Sequence, residues 1–151
     1  MKKIITVVLA TFLLLAGCTG SSPELGLENG YLKKCPDKPN CVNSQVNDKE
    51  HFIKPILVTS TQIDTKKHIL QILRESKRTE VKDVGNDYIR AEVSSAVFRF
   101  IDDVEFYFPE TQSKEMLIHV RSASRLGYYD FGVNRKRVED IRNKLSSYTS
   151  N

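Results

Sequence analysis

From residue 54 onward the hydrophobic positions repeat with two different periods, and the switch between them sets out the elements. Pro55-Ile-Leu-Val-Thr59 is short, β-branched and bounded by turn formers, which predicts a strand. Thr61, followed three residues later by Asp64, resembles a capping box. Ile63, Ile69, Leu70, Ile72 and Leu73 then recur at near-helical spacing, predicting an amphipathic helix to about Ser76 with Lys66, Lys67, Arg74 and Glu75 on a solvated outer face. After it the period falls to two. Thr79 to Val84 reads as a strand, Gly85-Asn86-Asp87 as a hairpin turn, and Ile89, Ala91, Val93, Ser95 and Val97 alternate with Tyr88, Arg90, Glu92 and Ser94 as a half-buried strand. Phe98 and Phe100 fall out of that phase, which predicts a bulge or bend near Ser94-Ser95. Asp102-Asp103 reads as a turn, Val104, Phe106 and Phe108 as the inner face of the next strand, and Pro109 to Lys114 as a loop. Met116, Ile118 and Val120 mark a further strand, and Val138, Ile141, Leu145 and Tyr148 a last helix from about Asn134 to Ser147.

The order is strand, helix, four strands, helix. Hairpin-length links between the strands favour an α+β fold with a single antiparallel sheet and both helices packed on one face. Tyr31 to Gln45 precedes it as a loop rich in turn formers, and Val46 to Glu50 as irregular chain.

The first residues read as an address. Lys2 and Lys3 precede an apolar run from Ile4 to Leu15 that is too short to span a bilayer but fits a secretory signal. Leu15-Ala16-Gly17-Cys18 resembles a bacterial lipobox, which implies removal of residues 1–17 and acylation of Cys18. Thr19 after the cysteine implies outer-membrane sorting, with the domain in the periplasm, in a Gram-negative host; in a Gram-positive host the same signal implies the cell-membrane surface. Residues 18–30 are expected as an anchored tether and 31–151 as one globular domain.

This assignment changes what charge and cysteine imply. Without Lys2 and Lys3 the 23 basic residues become 21, against 19 acidic, and so small an excess argues against nucleic acid as a partner. With Cys18 committed to lipid, Cys35 and Cys41 remain as a pair in an oxidising compartment, flanking the turn-rich Pro36-Asp-Lys-Pro-Asn40, and a structural disulfide is expected. Charge is uneven. Asp102 to Glu115 holds five acids and one base, whereas Arg121 to Arg142 holds six bases and three acids.

The richest stretch for chemistry runs from Arg121 to Arg137. Here a strand passes into a loop relaxed by Gly127 and Gly132 and then into a helix whose free N–H groups favour an anion. Arg121, Arg125, Arg135 and Arg137 can supply forked donors, Ser122, Ser124 and Tyr128 hydroxyls, and Asn134 a helix cap. Asp130, Asp102 and Asp103 are candidate partners that hold the arginines in place. Arginines gathered beside acids form a structural ion-pair network as readily as a ligand site. No nucleophile elbow, zinc motif or phosphate-cradling loop is present, and His51, His68 and His119 have no ligand spacing, so neither metal nor cofactor is expected.

Three segments together resemble the bacterial and plastid family called domain of unknown function 1499: Cys35 to Ser44, Phe98 to Phe106, and Arg121 to Arg137. The resemblance runs from about Leu25 to Leu145 and points to Cys35, Asn40, Cys41, Arg99, Asp102, Asp103, Arg121, Ser122, Ser124, Arg125, Gly127, Asp130, Gly132, Asn134, Arg135 and Arg137. Asn43 stands where the family has serine or cysteine, and Tyr129 where serine is common. The family carries no established activity, so the resemblance implies a fold and a set of positions rather than a reaction.

Together these features lead to the expectation of an envelope lipoprotein that binds an anionic small molecule or envelope component through the 121–137 loop. A hydrolase or transferase acting on a phosphate or sugar ester is the alternative. A third is a structural protein that contacts envelope macromolecules through Tyr88, Arg90, Glu92, Tyr107 and His119.

Overall fold

A computed structural model of the chain describes residues 23–113 and 115–149. The signal segment 1–17, Cys18 and the first part of the tether lie outside the described residues. The elements are β1 (Leu27–Glu28), β2 (Tyr31–Leu32), β3 (Cys41–Asn43), β4 (Ile56–Val58), α1 (Gln62–Glu75), β5 (Thr79–Val84), β6 (Tyr88–Ser94), β7 (Ile101–Tyr107), β8 (Met116–Ser124) and α2 (Val133–Thr149).

Five strands form an antiparallel path in the order β3-β8-β7-β6-β5. The short β4 shares the outer edge of β8 with β3, pairing Ile56 to Ile118 while β3 pairs Val42 to Ser122. The fold is therefore α+β and largely antiparallel, as the alternating pattern implies, but it has two sheets. The second is the β1–β2 ribbon, whose Asn29-Gly30 turn has positive φ at both central residues (53° and 78°). That is the geometry of a tight primed hairpin turn. Residues 27–30, expected as tether, are thus part of the folded ribbon, and Asn-Gly is the local signal that marks them.

Thr61 caps α1, its hydroxyl accepting the Asp64 N–H at 3.1 Å and donating to the Asp64 carboxylate at 2.7 Å. Ile69, Ile72 and Leu73 of α1 meet Val138, Ile141 and Leu145 of α2 over one face of the large sheet, where Ile89, Ala91, Val104, Phe106, Ile118 and Val120 complete the core. Among the described residues every buried hydrophobic side chain lies between Leu32 and Leu145, so a chain beginning at residue 19 keeps them all. Each fully buried aliphatic or aromatic side chain here contributes about 1.5–3 kcal/mol.

Two expectations about the strands change. Asp102-Asp103 is not a turn: both residues lie inside β7, in register with Val93 and Glu92 on one side and Ser124 and Ala123 on the other. The reversal occurs instead at 95–100, where Ser95 N–H donates to the Phe100 carbonyl and Arg99 takes φ 56°. Consecutive aspartates are tolerated mid-strand because arginines meet them on both faces. A disulfide joins Cys35 and Cys41 across a six-residue separation, and so small a ring contributes about 2 kcal/mol by loop entropy.

Candidate functional site

Strand alternation sorts the residues of the 121–137 segment onto opposite sides of the sheet. Val104 and Val120 face the helices, so Asp102, Ser122 and Ser124 share that side, whereas Asp103, Glu105, Arg121 and Arg125 face away. The expected single anion-binding loop is thereby divided into two networks.

On the helix side the network closes around Asn134. Its carbonyl oxygen accepts from the Ser122 hydroxyl at 2.7 Å and from Arg137 at 2.6 Å, and its amide donates to the Asn40 carbonyl, the Ser124 hydroxyl and Asp130 at 2.9–3.0 Å. Arg137 also reaches Asp102 at 2.5 Å. Asn134 is not the helix cap. It lies in the first turn of α2, and Asp130 caps that end by accepting the Gly132 and Asn134 N–H groups at 2.9 and 3.1 Å. The helix terminus expected to receive an anion thus already holds an internal carboxylate. Asn134 and Ser122 are fully buried, so this cluster fastens α2 to β8 and to the stapled loop.

On the other face, cross-strand pairs alternate in sign. Arg125 forks onto Asp103, with Nε at 2.8 Å and Nη2 at 2.9 Å, and also bonds Glu92; Arg90 meets Asp103 at 3.1 Å. The Asp103 carboxylate, and then Glu92, hold the Arg125 guanidinium well above its ordinary pKa. Arg121 donates to Glu105 at 2.7 Å, and the Tyr88 hydroxyl donates to the same carboxylate at 2.7 Å. Burial, and then the Glu105 charge, push the Tyr88 phenol up. Glu105 is wholly inaccessible because the N-terminal segment crosses above it, bringing Gly26 N–H to 3.4 Å. Arg135 serves neither network. It donates to the Phe52 and Glu50 carbonyls at 2.8 and 3.0 Å and clamps the segment before β4.

Above the outer network lies a groove of about 400 Å³. Pro23, Leu25, Lys33, Lys34 and the disulfide loop form one wall, and Asp103, Arg121, Ala123 and Arg125 form the floor, with Ser124 at its margin. Arg121 is 5 % exposed, and its Nε is buried with no hydrogen-bond partner among the described residues. Such an orphaned donor costs about 1–3 kcal/mol unless something else meets it. Lys33 donates only to the Glu24 carbonyl, and neither Lys33 nor Lys34 has an ion-pair partner among the described residues.

Sequence reasoning missed Lys33 and Lys34, counted Glu105 only among the acids of its segment, and gave Tyr88 to an outer contact surface rather than to Glu105. Glu105 was legible: it alternates with Val104 and Phe106, so it shares Asp103's face. A Ser44–His119 contact at 3.2 Å joins residues 75 positions apart, and no spacing could have revealed it. Ser44 is buried and accepts Val120 N–H at 2.9 Å, and burial lowers the His119 pKa. Among the described residues no carboxylate orients this histidine, so the pair has the geometry of a strand-edge brace rather than of an activated nucleophile.

A family model described as "Protein of unknown function (DUF1499)" matches residues 31–145. No curated protein matches the chain.

Proposed function

The chain belongs to the family described as Protein of unknown function (DUF1499), and from its geometry we propose that it is a binding module of the bacterial envelope, anchored to the outer membrane through an acylated Cys18. It takes an acidic, partly apolar ligand in the groove between residues 23–36 and the outer face of the sheet. The observation that carries this reading is Arg121, which lines the groove and whose buried Nε has no hydrogen-bond partner among the described residues. Lys33 and Lys34 add the uncompensated positive charge, and Pro23, Leu25, Pro36 and Ala123 add apolar wall. The anion site shifts from the loop to the groove because Arg125, Arg135 and Arg137 already have internal partners. A hydrolase or transferase gains no comparable support, since Asp102 and Asp103 each hold an arginine rather than stand ready as a base.

Thermal unfolding of residues 19–151 tests the reading, with inorganic phosphate, glycerol 3-phosphate and decanoate as probes. A ligand at about a hundred times its dissociation constant stabilises by about 2.7 kcal/mol, a rise of several degrees. The rise is expected for at least one probe and should vanish when Lys33→Glu and Lys34→Glu are combined. These positions are exposed, so the fold survives. No rise with any probe, or an undiminished rise in the variant, overturns the assignment.

A further inference from the structure

One end of the large sheet carries a surface that the groove does not explain. Fifteen large hydrophobic side chains are exposed among the described residues, and eight of them fall within 97–100 and 126–133. Scattered exposed apolar residues are ordinary, but a contiguous group marks a contact surface.

The two segments are neighbours. Ser94 pairs with Ile101, Asp102 pairs with Ser124, and Arg125 N–H donates to the Ile101 carbonyl at 3.0 Å. The 36–40 loop joins them through Asn40, which donates to the Gly127 carbonyl at 2.8 Å. Phe98 stacks on Phe100, and Tyr129 meets Phe131 edge to face, both with ring centroids 5.4 Å apart.

The backbone here is costly as well. Of the four non-glycine residues with positive φ among the described residues, Arg78, Arg99 and Phe131 lie at this end, Arg78 being held there by the Ser94 N–H to its carbonyl. Phe131 is 88 % exposed at a position where glycine or asparagine would relieve the strain. The ring buries little surface in the fold beyond its edge contact with Tyr129. Exposed Lys77, Arg78 and Arg99 flank the aromatic set, with Asp37 the exposed acid of the adjoining loop.

The course of the chain indicates what covers this rim. Pro23 lies in the groove beside Pro36, Ser124 and Arg125, at this same end of the sheet. Cys18 is five residues upstream, a span of at most about 18 Å. A domain of this size is roughly 36 Å across. A leash half that length holds the Pro23 end towards the bilayer and the opposite end away from it.

We infer that the rim formed by 97–100 and 126–131 docks on the headgroup interface of the lipid bilayer that holds Cys18. Aromatic rings settle at that depth, and the flanking cations meet anionic lipid. The inference rests on the lipid anchoring proposed above but not on the groove's ligand. The two readings fail separately, because ligand-induced melting shifts need no vesicle and rim insertion needs no ligand.

The protein contains no tryptophan, so single substitutions provide unique reporters. Phe98→Trp and Phe131→Trp report on the rim. Ile63→Trp, 80 % exposed at the start of α1 beside the 85–87 turn, reports on the far end. Each chain, beginning at Cys18, is coupled through that thiol to a maleimide lipid in vesicles of phosphatidylcholine and phosphatidylglycerol with brominated acyl chains. Cys35 and Cys41 are disulfide-bonded and do not compete. Blue-shifted emission and strong quenching are expected at both rim positions, and neither at Ile63→Trp. Adding Phe98→Ser and Phe100→Ser to Phe131→Trp should lower the docked population by about tenfold per ring. Absence of quenching at the rim, or equal quenching at Ile63→Trp, overturns the proposal. So does rim emission that responds to protein concentration but not to brominated lipid, which assigns the surface to a second copy or a protein partner.

Discussion

The ion pair beneath the N-terminal segment offers a demanding test of how the outer network is held together. Arg121→Met removes the guanidinium opposite Glu105, a carboxylate with no solvent access. Among the described residues Glu105 then keeps the Tyr88 hydroxyl at 2.7 Å and the long Gly26 contact at 3.4 Å. Stripping one partner from a buried pair costs about 3–5 kcal/mol, and the retained tyrosine hydrogen bond offsets about 1 kcal/mol. The expected loss is therefore about 2–4 kcal/mol, a large part of the 5–15 kcal/mol of a typical domain. Adding Glu105→Gln removes the stranded charge and leaves an acceptor for Tyr88. The double variant should recover most of the loss, giving a coupling of about 2–3 kcal/mol. Urea unfolding of residues 19–151 at neutral pH, followed by far-ultraviolet circular dichroism, measures all four members of the cycle. Single-variant losses that add within about 0.5 kcal/mol would mean that the two groups are uncoupled, and would refute the reasoning.

The two partnered histidines give pH dependences of opposite sign. Burial lowers the His119 pKa below its ordinary 6.5, so the unfolded chain takes up that proton first. Stability is then lost as pH falls through 6.5 towards the folded value, and His119→Gln should flatten that loss in melts run at successive pH values. For His51, burial acts downward but is outweighed by the Lys38 carbonyl and Asp48, leaving its pKa raised. Its contribution is present below 6.5 and fades as pH rises through the folded value, so His51→Gln should cost stability chiefly on the acid side. Phe131→Asn relieves a left-handed backbone at an exposed ring and should raise stability by about 1 kcal/mol while weakening rim insertion; a fall in melting temperature would show that the ring packs usefully in the folded chain.

Much of the layout was legible in local pattern. Ile89 and Ala91, Val104 and Phe106, and Ile118 and Val120 mark three strands and their inner faces, and all six are fully buried. The stripe of Val138, Ile141 and Leu145 locates α2, and the Cys35–Cys41 pairing follows from counting thiols. Misreadings arose where one residue type suits two structures. Two aspartates suit a turn, yet Asp102 and Asp103 lie in mid-strand because Arg137 compensates one and Arg125 and Arg90 the other. Asn29-Gly30 suits a tether by composition, but its positive φ angles close a hairpin.

The sequence by itself determined the class of fold and the elements and inner faces from β4 to α2, the start of β7 excepted, because periods of two and 3.6 are properties of neighbouring residues and need no partner, whereas β1, β2 and β3 lie in stretches it read as tether and loop. It grouped Arg121 with Ser122 in one loop, and the continuation of β8 to Ser124 sends them to opposite faces instead. Only the tertiary structure decided which charge meets which. Arg121 finds Glu105 on the neighbouring strand, Arg135 finds carbonyls more than eighty residues away, and Lys33 and Lys34 line a groove over Arg121. Those pairings depend on strand register and on the path of the N-terminal segment, which are set when the whole core closes.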